Sequence, residues 1–182
     1  FQEAMDGAYR ALSELRSQGV VKAIGAGMNQ WEMEARLARE GDFDCFLLAG
    51  RYTLLDHQAL PEFLPLCQEK NISVIIGGPY NSGILASDLT ESATFNYVAA
   101  QPEVLDRARR CKDVCDRHGV PLKAAALQFV FGHPAVTAAI PGPRSAAEAE
   151  ENFQMMAHSI PAALWEELRH EGLIPAEAPT PA

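Results

Sequence analysis

Apolar residues follow two rhythms along this chain. Four short runs are almost continuously apolar: 20–26 (VVKAIGA), 43–49 (FDCFLLA), 72–76 (ISVII) and 136–140 (VTAAI). Runs of that length without clear alternation mark strands buried on both faces of a sheet. Between them, apolar positions recur every three or four residues, the period of a helix with one buried face. Ala8, Leu12 and Leu15 share such a face in a helix over 3–18 that Gly19 can end. Asn29, with Glu32 after it at capping-box spacing, is expected to cap a second helix whose Met33 and Leu37 turn inward. Further helices are expected over about 60–70, over 103–118 ahead of Gly119, from Pro121 to Gly132, over about 146–156 and over 161–171. The Pro/Ala-rich segment 175–182 is expected to be loose.

Continuous apolar strands alternating with helices imply a parallel α/β sheet covered on both faces. Two architectures fit: an open doubly wound sheet, or part of an eight-fold βα barrel of the TIM type. Periodicity does not separate them. A closed parallel barrel needs eight strands and usually about 250 residues, so a barrel here is roughly half of one. The four strands are expected in sequential order, forming an open arc with helices outside. The chain starts at Phe1 rather than Met, and a fragment or processed chain is the expectation.

Composition narrows the function classes. With 48% hydrophobic and 21% charged residues, the 182-residue chain is globular in type and large enough for one domain with a real core. It contains no run of eighteen apolar residues, so no membrane-spanning segment is expected. A formal charge of −9 argues against a nucleic-acid partner. Cys45, Cys67, Cys111 and Cys115 form no CxxC pair and follow no secretory signal, which reads as reduced thiols in a cytoplasmic protein. Cys111, Cys115 and His118 share a helix face, but no second ligand pair accompanies them, so they read as ordinary thiols and not as a metal site.

The stretch VTAAIPGPRSAAEAEEN, 136–152, joins a buried strand, a stiff turn and a helix start. Pro141 and Pro143 fix φ, and Gly142 permits a backbone conformation closed to other residues. Ser145 and Glu148 have capping-box spacing, and the helix N-terminus that follows suits a phosphate.

Four phrases then carry a resemblance: ELRSQGVVKAIGAGMNQWE, FDCFLLAGRYTLLD, IIGGPYNSGIL and AAIPGPRSAAEAEEN. In that order they resemble the fifth to eighth strand regions of the aldo-keto reductases, and most nearly the branch that oxidises aldoses and L-fucose. The resemblance covers nearly the whole chain. It implies a βα barrel of which this chain is the C-terminal half, strands five to eight. It also implies NAD, with NADP possible, bound at the strands' C-terminal ends, and a small sugar as substrate.

Residue by residue, the resemblance assigns Glu151 and Asn152 to the adenine. Many members have a phosphate-binding lysine where this chain has Gly142, which leaves Arg144 as the nearby cation in the reading. Glu148 falls where NADP-preferring members carry an arginine, so it either disfavours a 2′-phosphate or completes the cap with Ser145; both roles stay open. Gly78, Tyr80 and Ser82 match loop positions near the pyrophosphate. Gly77 and Ala49 replace an aromatic residue and a glutamine that meet the nicotinamide. Asn29 matches the asparagine that holds the carboxamide, while Arg51 and Tyr52 are expected at the pocket mouth or barrel rim. The family's catalytic tyrosine, lysine, aspartate and histidine belong to the first half of the barrel, ahead of Phe1. No catalytic residue is therefore assigned, and a partner is expected: the other half-barrel or a second copy. A noncatalytic nucleotide-binding or scaffold protein of the same fold is the alternative.

Overall fold

The computed structural model describes residues 1–181. Gln2–Ala4, a π-helical stretch Met5–Tyr9 and Arg10–Ser17 run on as one helix, α1. There follow β1 Gly25–Met28, α2 Trp31–Glu40, β2 Cys45–Ala49, α3 Phe63–Glu69 and β3 Ser73–Gly77. A small hairpin of β4 Thr94–Phe95 and β5 Val98–Ala99 interrupts the alternation. The chain continues with α4 Pro102–Arg117, α5 Leu122–Phe129, β6 Val136–Ile140, α6 Ala146–Ala157 and α7 Ala162–His170. The main sheet is parallel throughout, in the order β1-β2-β3-β6, with no reversal of the kind a doubly wound sheet needs. Among the described residues no helix is long and apolar enough to cross a membrane.

Composition predicts strands buried on both faces, but the structure buries only alternate residues of β2 and the start of β3, and of β6 only Val136. Phe46, Leu48, Val74 and Ile76 are fully buried beneath the helices, and Phe46 meets Phe63 of α3 with ring centroids 5.8 Å apart. The alternate positions Cys45, Leu47, Ala49, Ser73 and Ile75 are only half-buried. The sheet thus has a closed helical face and an open second face. Cys67, Cys111 and Cys115 lie inside the core, where burial pushes each thiol up to about 12.

Three local expectations are corrected. The first strand starts at Gly25 instead of Val20, because Gly19 takes a left-handed φ of +72° and closes α1 with a Schellman pair. Gly19 N–H donates to Arg16 O and Val20 N–H to Leu15 O, both at 2.9 Å, which leaves Val20 exposed. Asn29 does not cap α2: the N-cap is Gln30, without a side-chain bond, and the Asn29 carbonyl instead accepts from Arg51 Nε at 3.2 Å. The tail is held rather than loose through Thr180. Arg169 Nη2 donates to Ala178 O at 3.0 Å and to Thr180 Oγ1 at 2.8 Å, and Ala178 is buried. Gly132 permits this contact, since a Cβ there would stand 2.3 Å from Pro179 O.

Candidate functional site

Two cavities lie at the C-terminal ends of the strands. The first, of about 670 Å³, is bounded by the loop after β3 and by the β6–α6 connection. The second, of about 660 Å³, opens over the ends of β1, β2 and β3 on the sheet's open face. They share Gly78, Ser82, Tyr97 and Ile140, so they form one elongated groove.

At the β6–α6 connection the capping residues behave as the sequence suggests, with one displacement. Ser145 Oγ accepts the Glu148 N–H at 3.2 Å. The Glu148 carboxylate reaches past Ser145 and accepts from the Arg144 N–H at 2.7 Å and from Arg144 Nη2 at 3.3 Å. The bond from the Arg144 N–H, then its guanidinium, holds the Glu148 carboxyl below the usual range. Glu148 is therefore both a cap and the partner of Arg144.

Deeper in the same cavity stands a residue absent from the sequence reading. Lys123, in the first turn of α5, sends Nζ to Glu151 Oε2 at 2.6 Å and lies 5.5 Å from the centre of the Tyr80 ring. Arg144 is thus not the only cation here. Its side chain is 89% exposed, whereas that of Lys123 is 16% exposed, so the helix before β6 supplies the deeper charge. Beside this pair the buried Tyr80 hydroxyl donates to Asn152 Oδ1 at 2.8 Å. Burial, then the Glu151 carboxylate, raises the Tyr80 phenol above its ordinary value, so Tyr80 stays a neutral donor and not a proton acceptor.

The loop after β3 holds its shape through backbone at positive φ: Gly78 +59°, Asn81 +48°, Ser82 +58° and Gly83 +95°. The non-glycine members are strained there and need tertiary support. Asn81 is buried and supplies it, accepting from Thr53 Oγ1 at 2.5 Å and so tying this loop to the one after β2. Ser82 is clasped by the hairpin, its Oγ accepting the Tyr97 N–H at 3.1 Å and its carbonyl accepting Thr94 Oγ1 at 2.9 Å. The hairpin turn has Asn96 and Tyr97 both left-handed, at +51° and +66°, which is the type I′ geometry of a two-residue connection. It sets the largely exposed Tyr97 ring over the junction of the two cavities.

The second cavity has Gly27, Ala49, Gly50 and Gly77 in its wall together with larger residues that include Met28, Leu47 and Ile140. Arg51 reaches it while bonded to Asn29 O at 3.2 Å, Asn96 Oδ1 at 3.1 Å and Asp56 Oδ2 at 3.3 Å. Tyr52, expected at the mouth with Arg51, is instead fully buried against Phe129, with ring centroids 5.3 Å apart. Behind the β1 end, the buried Glu34 accepts the Met28 N–H at 3.2 Å through Oε1, and Oε2 has no partner. Burial pushes this carboxyl up to about 8 against the opposing effect of that bond.

Of the ten residues assigned from sequence, Gly78, Tyr80, Ser82, Gly142, Arg144, Glu148, Glu151 and Asn152 line the first cavity together. Asn29 belongs to the second, and Ser145 works from behind as the cap. Lys123, Asn81 and Glu34 were missed. The spacing of Lys123 from Glu151 gives no local signal, because the contact spans 28 residues.

Comparison with known proteins bears on the fold and family of the chain. A model of the Aldo/keto reductase family matches residues 1–170. The chain is 44% identical over 168 residues to pyridoxal 4-dehydrogenase of Microbacterium luteolum, covering 92% of this chain and 49% of that protein. It is 39% identical over 173 residues to D-threo-aldose 1-dehydrogenase of a Pseudomonas species, covering 94% and 53%. An aldo-keto reductase from Bacillus halodurans in its holo form superposes with a TM-score of 0.73 at 20% identity, covering 96% of this chain and 57% of that one. The chain therefore spans about half the length of the curated relatives it matches.

Proposed function

The chain belongs to the aldo/keto reductase family, and from that premise we propose that it is the cofactor-binding, C-terminal half of a barrel enzyme that oxidises an aldose such as L-fucose at C1 to the lactone. The observation that carries the reading is the groove itself: eight residues expected to hold a dinucleotide line one cavity, which continues into a second over the strand ends. A dinucleotide is elongated, and a two-chambered groove fits it. NAD, when bound, supplies the acceptor for the hydride that leaves C1. The chain's own residues bind and orient. Tyr80, Glu151 and Asn152 surround the adenosine end, and Arg144 offers a cation at the open wall. Asn29, Ala49 and Gly77 border the end where the sugar would react.

The names of two relatives point to an aldose and to pyridoxal. Both molecules can close to cyclic hemiacetals, whose oxidation gives a lactone, so that functional group is the substrate class we infer. The acid–base set would come from outside this chain, and the sheet supports such closure: β1 and β6 each have an unpaired outer edge. Four unpaired cysteines are in keeping with a reducing, cytoplasmic setting.

The test is to titrate the intact protein with NAD and NADP, then follow NAD reduction with L-fucose, other aldoses and pyridoxal. Binding of NAD with turnover of a cyclic hemiacetal is expected. The 182-residue chain alone should bind nucleotide weakly and turn over nothing, since positioned acid–base groups contribute about 10²–10⁴-fold. Nucleotide binding by the intact protein without turnover of any such substrate would favour the scaffold alternative.

A further inference from the structure

We propose that Lys123 is a base-reading residue of the first cavity, presenting with Glu151 an adjacent donor and acceptor that match the amino-and-ring-nitrogen edge of adenine. This rests on the dinucleotide reading of the groove and adds a residue to it from outside the β6–α6 connection. The Lys123 ammonium has three N–H donors, of which one is committed to Glu151 Oε2 at 2.6 Å. Both residues line the first cavity, so the donors left on Lys123 and the Glu151 Oε1 acceptor are available there to one ligand. Adenine carries a donor, its exocyclic amine, next to ring-nitrogen acceptors, which is the complementary order. Asn152 strengthens the match. Its Oδ1 accepts from Tyr80, so its amide N–H groups are left to offer a second donor.

Depth and charge separate this role from a phosphate contact. A phosphate at Lys123 would lie beside the Glu151 carboxylate, whose side chain is 51% exposed, and the two like charges repel. A neutral base meets a pair whose charges already cancel. The Lys123 side chain is 16% exposed and lies at the Tyr80 ring, an aromatic surface in the same cavity wall. The Arg144 side chain is 89% exposed and stands where a charged group can stay solvated.

The experiment is titration calorimetry on the intact protein and its Lys123→Met and Lys123→Arg variants with adenosine, inosine, 5′-AMP, NAD and deamino-NAD. The wild type should prefer adenosine to inosine and NAD to deamino-NAD, because a 6-oxo group turns an acceptor toward Glu151. Lys123→Met should weaken adenosine, AMP and NAD alike by about tenfold, the scale of one charge-assisted bond, and should erode the preference over the deamino forms. Lys123→Arg, which keeps a donor, should recover part of the loss. Weakened AMP with unchanged adenosine would make Lys123 a phosphate contact and overturn the proposal. Equal weakening of adenine and hypoxanthine ligands, with a matching fall in thermal stability, would make it a structural residue and overturn it too. If the wild type binds NAD but Lys123→Met leaves every affinity unchanged, this inference alone fails; if the wild type binds no nucleotide, the dinucleotide reading fails with it.

Discussion

At the α6 end of the groove the charged and polar side chains hold one another: Arg144 with Glu148, Lys123 with Glu151, and Tyr80 with Asn152. At the strand ends the wall mixes Gly27, Ala49, Gly50 and Gly77 with larger residues such as Met28, Leu47 and Ile140, and is crossed by one multiply bonded arginine. One end is preorganised by side-chain pairs, so a ligand meets groups already oriented. The other is richer in small and apolar residues. On the proposed reading, adenosine binding and positioning of the reacting group would then be separable.

The sharpest asymmetry is hidden behind the strand-end cavity, in Glu34. Its folded pKa of about 8 lies well above the 4.5 of an unperturbed carboxyl, so the folded state binds the extra proton between those values. Stability should be fullest below about pH 4.5 as far as this group is concerned, and should fall as pH rises, by up to roughly 1.4 kcal/mol per unit, levelling off above about pH 8. Glu34→Gln keeps the acceptor for the Met28 N–H and removes the titration. Urea unfolding at a series of pH values should show a declining wild type and a flatter variant. Parallel profiles would show that Glu34 is not the group responsible.

At the paired end, Asn152→Ala strands the buried Tyr80 hydroxyl. Denaturant unfolding should register a loss of about 1–3 kcal/mol, the cost of an unsatisfied buried donor. Tyr80→Phe in the same background should recover part of it, because the orphaned group is then gone. If Asn152→Ala leaves stability unchanged, the claim that side-chain pairs organise this end is broken.

Cofactor choice tests the mouth of the same cavity. Glu148→Arg replaces a carboxylate with a cation beside Arg144, and should tighten NADP about tenfold relative to NAD. The Arg144 N–H loses its acceptor, so a small drop in melting temperature should accompany the gain. A wild type that already binds NADP far more tightly than NAD would mean that Arg144 outweighs Glu148.

The smallest effect belongs to the bare end. Ala49→Gln adds an amide to a wall that has room for it, so stability should move by less than about 0.5 kcal/mol. Affinity for NAD should rise a few-fold while that for AMP stays fixed, as measured by calorimetry. A gain for AMP as well would show that the two cavities are not independent.

These contrasts were only partly legible in the amino-acid order. Strands β2 and β3 stand out because apolar runs such as FLLA and VII suit a sheet interior, whereas the run of β6 reads as strand although only Val136 of it is buried. The start of β1 was misplaced because Val20 and Val21 read as strand, whereas the Gly19 turn commits them to the end of α1. The α6 end was readable because its residues lie within one strand–loop–helix. Lys123 was not, since pairing it with Glu151 requires knowing how α5 docks on α6. Glu34 carries no signal of its own in the sequence, and its burial follows from the Met28 N–H at the β1 end that it accepts. Ala178 belongs to a Pro/Ala-rich tail that reads as loose, yet it is buried with its carbonyl bonded to Arg169.

The open face of the sheet also gives the protein a built-in chemical reporter. Cys67, Cys111 and Cys115 are sealed in the core with thiols that resist ionisation, while Cys45 is half-buried on the open face beside Leu47. Its sulfur sits where a Cβ on Gly25 would approach to 2.9 Å, directly over the neighbouring strand. Alkylation in the native state is thereby directed to one position, and its rate becomes a clock for how often that face is uncovered. A fluorophore placed there would read, without any mutation, any partner that covers this face.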